Sequence, residues 1–233
     1  MLPPGSNHET YEPAPMDMEK ISSSEVYFTL GTLDFELTWL DRLQTANPAM
    51  KIIKTNVGIE MITGHDHETG TGHPSADPHT WLSPSCMKIQ AVTICRTLCG
   101  IDSANSELYR SNLEKFNKTA DSVDTRIKTL LNTSKGKTLL IFHPALGYFT
   151  RDYQLNQLTI EQEGKEPSTS YISQLIDKSK VLGIKAIYIS KEFDTRNAEA
   201  IANEIGAKVI VFDPMRADWP ENLVELATRI ANN

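Results

Sequence analysis

The sequence predicts an α/β protein, on three observations. After Gly136, short apolar runs (KTLLIFH, AIYIS, AKVIVFD) alternate with amphipathic segments of helix length. That is the pattern of a largely parallel sheet covered by helices. Ahead of this half, residues 105–133 repeat apolar positions mostly three and four apart, which predicts one helix with a single buried stripe. Its length exceeds what one compact lobe needs and suits an element connecting two. The first hundred residues carry their own, shorter alternation of strand and helix.

In chain order, the proline-rich residues 1–15 read as loop, followed by a short helix at Met16–Ile21 and a strand at Val26–Leu30. The segment Glu36–Ala46 is amphipathic, with Leu37, Leu40 and Leu43 on one side. A strand around Lys51–Thr55 leads into a run, GHDHETGTGH, that holds His65, His67 and His73. Residues 85–100 form a helix. After the long segment come a strand at 137–143, a brief helix around Tyr148–Tyr153 and a strand at Leu158–Glu161. SYISQLIDKSKVLG is a helix with a glycine stop, AIYIS a strand, TRNAEAIANEIG a helix and AKVIVFD a strand. WPENLVELATRIANN closes the chain as a helix, with Pro220 near its start.

The 233 residues suffice for one large domain or two small ones. A net charge of −7 without a basic stripe argues against nucleic acid as a partner. No window of eighteen apolar residues is present to span a membrane, and the opening MLPPGSNHE has no charged and apolar regions of a signal peptide. Cys86, Cys95 and Cys99 share one helical segment, an odd and clustered set that reads as small buried hydrophobes. With no CxxC, a thiolate zinc site is not indicated.

Ligands of open parallel sheets bind beyond the carboxyl ends of the strands. His143 closes the strand TLLIFH, and Asp213 closes VIVFD. An imidazole and a carboxylate on the same sheet edge can converge on one cation, and zinc accepts both. Each residue also has a plain structural reading: a hydrogen-bonded histidine at a strand end, an aspartate capping a turn or helix. His79 can be a turn residue in DPHTW, and His8 part of a terminal loop.

The segments GSNHETYEPAPMDMEKISSSEVYFTLG, DPHTWLSP and FHPALGYFTRDYQL, and the late strand ending FDPM, occur in this order. Together they resemble the metal-binding solute-binding proteins of bacterial ABC importers that deliver zinc or manganese, in their zinc-type form, across essentially the whole chain. The resemblance implies two α/β lobes with largely parallel sheets flanked by helices: residues 1–104, a long linker helix at 105–134, and residues 135–233. It places the metal in the cleft between the lobes and makes His8, His79, His143 and Asp213 its ligands. His65, His67 and His73 would belong to the histidine-rich loop of zinc-type members, as an auxiliary capture site or as incidental histidines of a solvated loop.

Three imidazoles and one carboxylate suit Zn2+; Mn2+, or iron, is the second choice, because manganese-selective members place glutamate where this chain has His143. The implied partners are the metal ion and an ABC permease with its cytoplasmic ATPase. The implied location is the periplasm or the outer face of the membrane, with membrane contact only through the permease or a lost lipid anchor. Members begin with a signal sequence and a strand–helix unit ahead of the first histidine motif. The resemblance therefore implies an N-terminal lobe incomplete in this chain.

Glu161, Glu163 and Glu166 are carboxylates within reach of such a site, although Glu166-Pro167-Ser168 equally reads as a helix start capped by Ser168 or Thr169. Trp81 and Tyr148 are expected to pack around the metal rather than touch it. The function implied is carriage, not catalysis. One alternative is an adhesin-like metal-binding surface protein. Another is a zinc hydrolase, with water in place of His8 and Glu161 or Glu163 as base; no HExxH or nucleophile elbow supports it.

Overall fold

A computed structural model describes residues 11–63, 76–161 and 167–233. It falls into two compact units: the described residues of Met1–Met61 with Pro84–Ala120, and those of Ile62–Ser83 with Asp121–Asn233. His8, His65, His67, His73, Glu163 and Glu166 lie outside the described residues.

The first unit contains α1 (Pro15–Ser22), β1 (Val26–Thr29), α2 (Asp34–Ala46), β2 (Lys51–Lys54), α3 (Pro84–Ile101) and the start of α4 (Ser106–Leu130). β1 and β2 pair in parallel, Val26 with Lys51 through Thr29 with Lys54. Ile21, Leu43 and Met50 form a small core, with Met18, Tyr27 and Ile52 packed against it. The expected face of α2 is only partly right. Leu43 is buried, but Leu37 is exposed, and Phe35 and Glu36 turn inward instead. The reason is Glu36, whose carboxylate accepts hydrogen bonds from the Leu30 and Gly31 amides and so rotates the helix toward the end of β1. Cys86 and Cys95 are buried as expected, and Cys99 is half-buried.

The second unit holds the rest of α4, then β3 (Thr138–Ile141), α5 (Gly147–Asp152), β4 (Asn156–Thr159), α6 (Thr169–Val181), β5 (Ala186–Ser190), α7 (Arg196–Ile205), β6 (Lys208–Phe212) and α8 (Trp219–Ala231). Its four strands are all parallel, in the order β4-β3-β5-β6. Every residue of β5 is buried, as its continuous apolar run requires of a central parallel strand. Leu140, Ile187 and Ile189 pack with Leu175, Ala198, Ile201 and Ala202 from α6 and α7. Ser168 caps α6, its hydroxyl accepting from the Tyr171 amide. α7 ends at Gly206, whose φ of 66° is the left-handed conformation that a non-glycine residue adopts only with strain. In α4, Ala120, Val123 and Ile127 form the buried stripe, continued by Leu131 just past the helix, whereas Leu108 near its start is exposed.

Candidate metal centre

The site is built at the carboxyl edge of the four-stranded sheet, where the chain leaves each strand. His143 lies two residues past β3, Glu161 two past β4, Lys191 and Glu192 directly past β5, and Asp213 directly past β6. Strand register decides who meets whom. β3 and β4 pair Ile141 with Thr159, and two residues further along the same ladder His143 meets Glu161: His143 Nδ1 is 2.6 Å from Glu161 Oε2. β5 and β6 pair Ser190 with Phe212, and one residue further Lys191 meets Asp213, with Nζ 2.5 Å from Oδ2.

His79 arrives from the segment Ile62–Ser83, at the head of a short 3-10 turn (Thr80–Leu82). It is held from two residues back. Asp77 Oδ1 accepts both the His79 amide and His79 Nδ1, each at 2.8 Å. Pro78 between them limits the backbone to a turn, which is what the spacing D-P-H encodes. The segment is anchored to α5 by Tyr148, a fully buried side chain whose hydroxyl donates to the Asp77 carbonyl at 2.8 Å and accepts from the Ile62 amide at 3.2 Å. The Trp81 indole donates to the Pro214 carbonyl at 3.1 Å, tying the turn to the loop after β6.

The His79 and His143 rings lie 5.2 Å apart, centroid to centroid, and both are buried, at 3% and 7% exposure. Trp81 lies 5.1 Å from the His79 ring, and Phe193 stacks on His143 at 5.3 Å. With Nδ1 engaged by a carboxylate oxygen that only accepts, Nδ1 carries a proton in each ring, and the neutral form of each then has its lone pair on Nε2, which is buried in both. A neutral imidazole with an available nitrogen is a metal ligand, and a carboxylate on its other nitrogen is the usual support for one.

Of the expected ligands, the described structure thus brings His79 and His143 together. Asp213 lies at the same sheet edge, but its carboxylate is engaged by Lys191 and by the Met215 amide, the latter 2.9 Å from Oδ1. Among the described residues, no three His, Cys, Asp or Glu side chains converge closely enough to hold a metal. Glu161 supports His143 and does not stand apart as a free base. Trp81 and Tyr148 pack and anchor, as expected. Three residues were not singled out from the sequence: Asp77, Lys191 and Glu192. Glu192 is half-buried, and its pKa is raised chiefly by burial, with Asp213 adding to the rise and His143 and His79 opposing it. Its signal was positional, directly after a strand of a parallel sheet.

Fold and family together make this a metal-binding substrate-binding protein of the ABC-importer type, not an enzyme. The chain belongs to the family of the periplasmic zinc-uptake complex component A, ZnuA, whose profile matches residues 1–233. A crystal structure of ZnuA is 38% identical and superposes with a TM-score of 0.91, covering 99% of this chain and 88% of that one. A putative metal-binding protein of Chlamydia trachomatis serovar D is 29% identical over 229 residues, 97% of this chain and 80% of that protein. The high-affinity zinc uptake system protein ZnuA of Bacillus subtilis strain 168 is 24% identical over 226 residues, 92% of this chain and 70% of that protein. No helix among the described residues is long and apolar enough to cross a membrane.

Proposed function

We propose that this chain captures one Zn2+ on the outer side of the membrane and passes it to an ABC permease driven by its ATPase. His79 and His143 bind through Nε2. Asp213 contributes its carboxylate once it exchanges Lys191 for the metal. His8 lies outside the described residues and enters the set by the sequence resemblance alone. The observation that carries this reading is the pair of buried imidazoles 5.2 Å apart, each held at Nδ1 by a carboxylate. Imidazole donors favour zinc over manganese, which prefers a site richer in oxygen. The zinc reading gains from the family and from the relative described as a zinc uptake protein.

Calorimetric titration of the metal-free protein with ZnCl2, and in parallel with MnCl2, tests it. One zinc per chain is expected, bound more tightly than manganese. A four-ligand zinc site is worth about 10–16 kcal/mol, so His79→Ala or His143→Ala should each weaken zinc by roughly several hundred-fold. Asp213→Ala and His8→Ala test the remaining two positions. Unchanged zinc binding in both His79→Ala and His143→Ala would overturn the assignment.

A further inference from the structure

We propose that Asp77 and Glu161 are positioning residues, with Gly147 providing the room that Asp77 needs: they hold His79 and His143 in the tautomer that binds metal and thereby set the affinity. This rests on the metal site proposed above but concerns residues that never touch the ion.

The geometry carries the inference. Both carboxylates are almost buried, with side chains 11% exposed, and each lies against a histidine that is 4% or 8% exposed. Neutral histidine in water favours the proton on Nε2, which would block the nitrogen the site needs. A carboxylate oxygen cannot donate, so at 2.8 and 2.6 Å from Nδ1 it forces the proton onto Nδ1. The two supports are built differently. Glu161 is placed by strand register and by its amide donating to the Phe142 carbonyl at 2.9 Å. Asp77 is placed by a close approach. Its Oδ2 lies over Gly147, and a Cβ there would collide with that oxygen. No real Cβ tolerates such a contact, and Tyr148, the next residue, pins the Asp77 carbonyl from the same helix start. Any side chain at position 147 therefore pushes the Asp77 carboxylate away from His79. The glycine serves this packing need, since its backbone is not in the left-handed region.

The test uses the full chain, metal-free, with 15N-labelled histidine. Two-bond 1H–15N spectra identify which ring nitrogen carries the proton, and zinc titrations follow on the same samples. The wild type should show His79 and His143 protonated on Nδ1. Glu161→Ala should shift His143 toward the Nε2-protonated form and weaken zinc by about 10–100-fold, the usual cost of losing such support. Glu161→Gln, whose side-chain carbonyl still accepts, should restore the tautomer and part of the affinity. Asp77→Ala should act on His79 alone, and Gly147→Ala should reproduce it without removing any polar group. A loss caused by general destabilisation would leave the ring tautomers unmoved. Wild-type tautomers in Glu161→Ala and Asp77→Ala, or shifted tautomers with wild-type affinity, would overturn the proposal. A wild-type zinc affinity in both His79→Ala and His143→Ala would instead sink the metal site, whatever the tautomers show.

Discussion

Each unit shields carboxylates from solvent, fully at Glu36 and largely at Asp77 and Glu161, and the two units use them differently. In the first, Glu36 is 3% exposed and turned onto the backbone: it accepts from the Leu30 amide at 3.3 Å, the Gly31 amide at 2.9 Å and the Tyr27 hydroxyl at 3.4 Å. In the second, Asp77 and Glu161 are turned onto imidazoles. A carboxylate that satisfies amides just past a strand closes the fold locally. A carboxylate that satisfies one nitrogen of a histidine leaves the other nitrogen ready for a ligand. Burial of an acid is thus no mark of function. The chemical identity of its partner is.

The comparison is most sharply tested at Glu36. Glu36→Ala strips two backbone donors of a charged acceptor and should cost about 3 kcal/mol. Urea denaturation should show the loss as a lower midpoint, with the zinc affinity of the folded protein unchanged. The Tyr27 hydroxyl, whose pKa is raised first by burial and then by Glu36, loses its neighbour in the same variant. A Glu36→Ala protein with normal stability and weakened zinc would reverse the assignment of roles.

A smaller effect is expected at Tyr148, whose hydroxyl anchors the Asp77 segment through the Asp77 carbonyl and the Ile62 amide. Tyr148→Phe removes one donor and one acceptor and should cost about 1–2 kcal/mol. Because the Asp77 carboxylate keeps its own contacts with His79, zinc affinity should fall by less than in Asp77→Ala. Equal losses in the two variants would show that the hydroxyl, and not the carboxylate, positions His79.

Much of this arrangement was legible in the sequence. His143 and Asp213 could be placed at strand ends because TLLIFH and VIVFD are apolar runs that stop at a polar residue, and parallel sheets bind ligands there. The start of α6 followed from the residues there, which offered Ser168 or Thr169 as the cap, and the structure uses Ser168. What was not legible is pairing between strands. His143 meets Glu161 because β4 is the neighbour of β3, and Lys191 meets Asp213 because β5 is the neighbour of β6. Strand order sets these contacts, and no local pattern in one chain records it. The inward turn of Phe35 and Glu36 in α2 was missed for a related reason: the periodicity of leucines was outweighed by a carboxylate with two amides to satisfy. The close approach of Asp77 to Gly147 joins residues seventy positions apart, so it too is a product of the tertiary fold.

The smallest expected effect bears on the residue that separates the two kinds of carboxylate, Asp213. Its two oxygens are divided: Oδ1 accepts from the Met215 amide, and Oδ2 faces the Lys191 ammonium, which the proposed metal would have to displace from that oxygen. The Lys191 and Asp213 side chains are 41% and 22% exposed, so the pair is worth at most about 1 kcal/mol. Lys191→Met, which keeps the apolar stem, should therefore raise zinc affinity by only roughly two- to five-fold. Removing a positive charge near any cation site could do the same without contact, so the decisive measurement is the double-mutant cycle. In an Asp213→Ala background, Lys191→Met should gain nothing if the lysine acts by occupying that carboxylate. A gain that persists there means that Lys191 acts only through its charge. Asp213 then belongs with Glu36 as a structural acid, and Glu192, whose charge is felt at both histidines, becomes the carboxylate to test next.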